Sequence, residues 1–364
     1  MKIVSAETSI VEIPFTLRGS GVGIMPTAWK SLEFALVRLE DEQGNVGWGE
    51  GFGYFTVDAT KAIIDRLILP TLVGTEIDDI PAWNIQAQRR IHMFGRYGIT
   101  MFAIGGVDLA LWDLQAKRAG VPLHRLLNPT ASRSRIPFYA SLVRYADADL
   151  AVQSCAEVLR AGFSAIKLHE IGLKEIAACR AAIGPDVSLC VDVNCAWSVD
   201  FVTRHRDELN ALNLTWLEEP IFPPEDFAAL GSLRGQGLAI AAGENWCTSR
   251  QFAAALAADA VDILQPSVTK VGGISEFRAV LQLADGGRAR VMPHSPYFGP
   301  GFFASLHLAA AHQSIQALEY NFVQPEAWLA DVSSLRDGGD FSIPQGPGLG
   351  FEPDPAVMQR YRRA

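Results

Sequence analysis

Residues 189–194, LCVDVN, decide the fold. Leu, Cys, Val and Val make an apolar run with the length and branching of a buried strand. The run ends on a carboxylate, Asp192, with an amide two positions on at Asn194. A buried carboxylate has to be held by something, because an unpartnered charge is costly away from water. Working outward, similar runs recur: IPFYAS from 136, AIKLH from 165, LTWLEEP from 214, LAIAAGEN from 238, VDILQPS from 261, RVMPH from 290 and ALEYN from 317. With LCVDVN they make a series of eight whose starts lie 29, 24, 25, 24, 23, 29 and 27 residues apart. Helical patterns such as DLAVQSCAEVLRAG and SEFRAVLQLADGG lie between them. Eight strands alternating with seven helices predict an α/β chain folded as a (β/α)8-type TIM barrel, in a modified (β/α)7β form because an eighth helix is not legible. So even a spacing weighs against the alternative, an open doubly wound sheet.

The barrel is expected over residues 131–321. Residues 1–130 have another texture and predict an α+β capping domain. KIVSAETSIVEIPF and SLEFALVRLE read as strands, DEQGN as a turn and VGWGEG as a returning strand. Helical patterns follow at 57–72, 80–94 and 99–119. The last contains Gly105-Gly106, a costly pair inside a helix that implies close packing there. Residues 322–364, rich in Pro and Gly, are expected to leave the barrel and pack back on the capping domain.

Composition narrows the function. The net charge of −9 argues against a nucleic-acid partner, because phosphate is neutralised by clustered Lys and Arg. Five cysteines, with no C-x-x-C pair, read as reduced thiols of a cytoplasmic protein. No run reaches the length of a membrane span, so no membrane partner is expected.

Strand ends of a barrel open on one face, so their polar residues belong together. Asp192, Glu218 and Glu244 follow one another at 26-residue intervals and are expected at one level on three adjacent strands. Three converging carboxylates repel, and a divalent cation resolves the conflict. Ligands that are all oxygen favour Mg2+. Lys167 and His169 share one face of their strand, His294 ends the seventh strand, and Glu319 lies on the eighth.

The stretches VDVN, WLEEP, AAGENW and GGVDLALWDLQAKRAGVPLHRLL resemble the enolase superfamily, and within it the mandelate racemase/muconate lactonizing enzyme family, over essentially the whole chain. GEN and the 26/26 spacing resemble the mandelate racemase branch in particular. The resemblance implies Mg2+ held by Asp192, Glu218 and Glu244, and removal of the proton next to a substrate carboxylate to give an enediolate. It implies Lys167 on the substrate carboxylate, His169 in place of the second Lys of K-x-K, His294 as acid/base on the opposite face and Glu319 as an electrophilic partner. Asn194 and Glu219 are implied as supporting or substrate contacts. It also implies a small-molecule carboxylate substrate and a symmetric homo-oligomer.

The sequence departs from the family at two places. His169 stands in a K-x-H pattern, and Ser267 stands where an Asp commonly orients the His of the seventh strand. A serine can orient an imidazole but adds no charge. Lys270, before VGG, matches a working Lys of the muconate-lactonizing branch, which is often present without catalytic work in the racemase branch. The loops RGSGVGIMPTAW, 18–29, and GEGFGYF, 49–55, are expected to close the mouth. There Trp29, Phe52, Tyr54 and Phe55 would exclude water and shape the pocket, with Tyr297 and Phe298 beside them.

The expected function is therefore that of a Mg2+-dependent acid-sugar dehydratase. The alternatives are a racemase, epimerase or cycloisomerase acting on a carboxylate, and a metal- or ligand-binding member that no longer catalyses.

Overall fold

The structure, a computed structural model, describes residues 1–19 and 28–363. It has two parts, an α+β cap and a (β/α)7β barrel. The cap is a meander of β1 (Ile3–Thr16), β2 (Ser31–Asp41) and β3 (Val46–Phe52), paired antiparallel. Asp41 fixes the β2–β3 turn by accepting the N–H groups of Gln43 and Asn45, both at 2.9 Å. Helical residues run from Val57 to Leu72, with one wide turn at Ile64–Ile68, and then over Ile80–Arg90 and Ile99–Arg118.

The helix Ile99–Arg118 explains its own glycine pair. β3 presents Gly47, Gly49 and Gly51 at alternate positions, so one of its faces lacks side chains. The helix lies on that bare face. A Cβ added at Gly49 would stand 2.0 Å from the Gly106 carbonyl, and one at Gly106 would stand 2.6 Å from Gly51 N. Gly105 faces the other way, where its Cβ would meet Gly273 N of the barrel at 3.1 Å. The helix is wedged backbone to backbone between cap and barrel. It is long and apolar enough to cross a membrane, but 83% of its apolar window is buried inside the fold.

The barrel strands are β4 (Arg135–Ser141), β5 (Ala165–Leu168), β6 (Ser188–Asp192), β7 (Trp216–Glu218), β8 (Ile240–Ala242), β9 (Ile263–Leu264), β10 (Arg290–Val291) and β11 (Leu318–Asn321). Neighbours pair in parallel from β4 through β10, and β11 returns to pair with β4, so the sheet closes and is not an open doubly wound one. The β10–β11 seam has a single bridge, Val291 to Ile315. There the Ser295 hydroxyl substitutes for a ladder, accepting Glu319 N–H at 2.8 Å.

The barrel interior is layered. Tyr139, Cys190, Trp216, Ala241, Ile263 and Met292, from five strands and the residue just after β10, form an apolar plug. Side chains alternate along a strand, so inward positions two residues further lie one level up. That level carries Lys167, Asp192, Glu218, Gln265, His294 and Glu319. Trp216 links the two levels, its indole N–H donating to Glu218 Oε2 at 2.9 Å.

Beyond β11 the chain touches both parts. β12 (Gln324–Pro325) pairs with the end of β1. Asp340–Ser342 pairs antiparallel with the start of β4, and Arg363 N–H donates to Ile10 O at 2.9 Å.

Candidate active site

The cap and the open end of the barrel enclose a cavity of about 500 Å³. Glu244 borders it, and Asp192, Glu218 and Glu244 each offer one oxygen within 4.8 Å of the others. They reach that arrangement by two routes. Asp192 and Glu218 are direct partners across β6 and β7. Glu244 is not at their level of the sheet, because Glu218 pairs with Ala241 and β8 ends at Ala242. The equal spacing of the sequence therefore does not mean equal register. Gly243, with φ +137°, turns the chain inward and delivers Glu244 from beyond the strand end. A Cβ there would lie 2.9 Å from the Phe252 ring and 3.0 Å from Gln265 N, in a conformation that L side chains rarely adopt. Gly243→Ala is expected to lower Mg2+ affinity by about tenfold or more while secondary structure persists. Calorimetric titration with Mg2+ checks this, and unchanged affinity would mean that Glu244 is not a ligand.

The turn after β6 is also held in a costly conformation. Asn194 and Cys195 have φ of 45° and 61°, and Glu219 after β7 has 43°. Left-handed non-glycine residues cost about 1–3 kcal/mol each and cluster at functional sites. Here they aim Asp192. Its Oδ1 accepts Asn194 N–H at 2.8 Å. Its Oδ2 is buried without a hydrogen-bond partner among the described residues, with His169 Nε2 at 3.4 Å and Lys167 Nζ at 3.6 Å.

Lys167 is fully buried, with Glu319 at 2.7 Å and Glu218 at 3.0 Å. It does not border the cavity. Three carboxylates surround the ammonium and hold its pKa well above the usual value, against the effect of burial. Burial pushes Glu218 up to about 8, although Lys167 opposes the shift. Glu244 is half-buried, and against the effect of that burial His294 and Lys270 bring it down to about 2.

His169 donates from Nδ1 to Leu142 O at 2.6 Å, which leaves Nε2 as the basic nitrogen, facing Asp192. Burial works against its protonation, but Asp192 outweighs burial and raises the pKa. His294 has Ser267 Oγ at 3.1 Å and the Tyr297 hydroxyl at 3.3 Å from Nδ1, and Glu244 at 3.2 Å from Nε2. Ser267 and Tyr297 are themselves hydrogen-bonded. Burial lowers His294 to about 4, so it stands neutral. The Asp that the family commonly uses is replaced here by two hydroxyls.

Lys270 borders the cavity, bonded to Asn245 at 2.8 Å and Glu244 at 3.2 Å, with Phe52 beneath it at 5.0 Å. Asn194, Glu319, Trp29 and Tyr54 also border the cavity, as does the ring of Phe52. Glu219 turns aside and accepts both hydrogen bonds of the Asn245 amide group. Residues 20–27 of the first expected loop lie outside the described residues.

Residues 5–128 match the mandelate racemase/muconate lactonizing enzyme N-terminal domain, and residues 150–357 match the enolase C-terminal domain-like model. The chain belongs to the enolase superfamily, in its mandelate racemase/muconate lactonizing branch. This superfamily member is 30% identical over 354 residues to the 3,6-anhydro-alpha-L-galactonate cycloisomerase of Streptomyces coelicolor, covering 93% of each chain. It is 28% identical to the arabinonate dehydratase of Saccharolobus solfataricus, covering 91% of each. Among solved structures, a racemase from Streptomyces coelicolor with bound magnesium superposes with a TM-score of 0.84 at 28% identity, covering 99% of this chain and 100% of that one. The family's chemistry is thus lyase and isomerase chemistry, and magnesium is bound within it.

Further polar groups at this superfamily member's cavity were missed as site residues, Glu50 and Arg144 among them. Glu50, on β3, is buried against Gly301 N–H at 2.9 Å, and burial raises it to about 7. Arg144 borders the cavity and donates to His169 O at 2.7 Å. Neither carries a sequence signal: Glu50 looks like an ordinary hairpin acid, and Arg144 follows a strand whose end has no other charge.

Proposed function

We propose that this enzyme removes the proton next to a substrate carboxylate with the help of Mg2+, and that its reaction is the dehydration of an acid sugar. The observation that carries this is the buried trio Asp192, Glu218 and Glu244 beneath a cavity bordered by two histidines.

The residues fit a divalent cation. One Asp192 oxygen is buried without a hydrogen-bond partner among the described residues, all three donors are carboxylates, and the negative charge is in excess. Four carboxylates (the trio with Glu319) lie within 4 Å of only two ammonium groups, Lys167 and Lys270, and burial raises the pKa of Glu218 despite Lys167. Asp192, Glu218 and Glu244 would hold the ion. Once bound it supplies positive charge to the substrate carboxylate and so acidifies the neighbouring C–H. His169 takes that proton at Nε2, its ring fixed by the Leu142 carbonyl. His294, neutral and held from behind by Ser267 and Tyr297, presents Nε2 to the same space and orients the β-hydroxyl, which leaves as water with the proton that His169 has taken. Loss of the proton and the hydroxyl gives an enol, which becomes a 2-keto acid.

His169→Asn is expected to slow α-proton exchange by about 10²–10⁴-fold while Mg2+ affinity and folding persist. An unchanged rate would move the base to Lys270 or His294. NMR of a panel of hydroxy acids in D2O, with and without Mg2+, tests the whole reading. Metal-dependent exchange with a 2-keto product supports it, and a panel that never yields a 2-keto acid overturns dehydration.

Lys270 favours a second reading. A further amine borders the cavity beside Glu244, as a racemase or cycloisomerase with bases on both faces would require. Inversion without loss of water would support that outcome.

A further inference from the structure

A second concave site lies apart from the active-site cavity. It is a groove of about 780 Å³ at the junction of cap and barrel. One wall is the cap helix Ile80–Arg90 with the segment that follows it, and the other is made by the barrel helices Thr248–Ala257 and Ile274–Ala284. The cap wall supplies Arg89, His92 and Arg96, and the barrel wall supplies Arg250. Three guanidiniums and an imidazole thus share the lining with one carboxylate, Glu276. In a chain of net charge −9 that is a local reversal of sign.

The lone carboxylate is already engaged. Glu276 is buried, its Oε1 accepts Gln88 Nε2–H at 2.6 Å, and its Oε2 accepts Ser249 N–H at 2.7 Å. Arg96 is anchored on Gln88, whose Oε1 accepts its Nε–H at 3.0 Å and its Nη2–H at 2.7 Å. Arg89 and Arg250 are exposed and have no carboxylate within 4.0 Å among the described residues. Ile85 and Leu283, 54% and 42% exposed, add an apolar rim.

We propose that this groove is a second ligand site, taking a small organic anion that carries a phosphate or at least two carboxylates. A guanidinium is planar and presents paired N–H donors that match such oxygens. The volume falls in the range of small-molecule pockets, roughly 300–1,000 Å³, which leaves room for a carbon body against Ile85 and Leu283. An occupant held from both walls ties cap to barrel and stabilises the folded chain by mass action. The groove and the active-site cavity have no lining residue in common among the described residues, so the site is separate from the reaction proposed above.

Calorimetric titration of the metal-free protein with phenyl phosphate, citrate, inorganic phosphate and acetate tests this. Without Mg2+ the active site keeps its excess of negative charge and repels anions. Phenyl phosphate or citrate is expected to bind once per chain with a Kd of about 1 mM or below, and inorganic phosphate and acetate about tenfold or more weakly. Arg89→Ala and Arg250→Ala should each weaken binding by about tenfold or more. The tight probe should raise the melting temperature of the parent but not of Arg250→Ala. Lys270→Met, in the other cavity, should leave the binding unchanged. Binding of phenyl phosphate alone supports a phosphate ligand, and binding of citrate alone supports a polycarboxylate. The site is overturned if no probe binds in the millimolar range, if binding survives both arginine substitutions, or if Lys270→Met removes it. Inorganic phosphate bound as tightly as the organic probes overturns the carbon body.

Discussion

Asp192→Asn is expected to abolish measurable α-proton exchange, by about 10³-fold or more, and to weaken Mg2+ binding by about 100-fold. The charge that the ion delivers to a developing anion amounts to several kcal/mol, and each 1.36 kcal/mol is a factor of ten in rate. The substitution is chosen to be local. Asparagine keeps an oxygen to accept Asn194 N–H, the β6 ladder is made by backbone, and Lys167 retains Glu218 and Glu319. Thermal unfolding without Mg2+ should therefore change little. Calorimetric titration and exchange in D2O read the two losses, and Mg2+ affinity equal to that of the parent would place the ion elsewhere.

Lys167→Met has the largest expected effect on stability. The ammonium is completely buried with carboxylates at 2.7, 3.0 and 3.6 Å. Removing one partner of a buried ionic cluster leaves uncompensated charge and costs about 3–5 kcal/mol. In a chain of this size that lowers the melting temperature by on the order of 10 °C. Mg2+ should recover more stability in the variant than in the parent, because it neutralises the same oxygens. The deficit should also grow with pH. Glu218 is held up near 8 in the folded metal-free protein against an ordinary 4.5, so the folded state keeps a proton that the unfolded chain releases. Stability then falls as pH rises through that window, and without Lys167 it falls further. A melting temperature unchanged at pH 8 would mean that the carboxylates do not depend on this lysine.

Much of the architecture was legible because strand runs and interposed helices are local patterns. The eight starts land on β4 to β11, and the Gly105-Gly106 pair correctly announced a close approach. What the sequence could not carry was how separate elements meet. Equal 26-residue intervals suggested three acids in one register. In the structure two are in register and the third arrives through the turn at Gly243, a coincidence of loop length. Lys167 was legible as inward-facing, but not that its nearest carboxylate, Glu319, reaches it from β11. Ser267 was visible as a missing carboxylate. That Tyr297 stands beside it at His294 depends on how the chain folds beyond β10.

The apolar plug beneath the acids makes the barrel a blind alley. Tyr139, Trp216, Ile263 and Met292 fill the axis, so nothing passes through the molecule from end to end. Whatever reaches the carboxylates enters under the cap, and whatever is made there departs past the same aromatic rings. A product that lingers in the cavity under the cap would then compete there with every incoming molecule. Turnover would then be limited by how fast the cavity lets go, and substitutions far from the acids, in the cap, would change it without touching the chemistry.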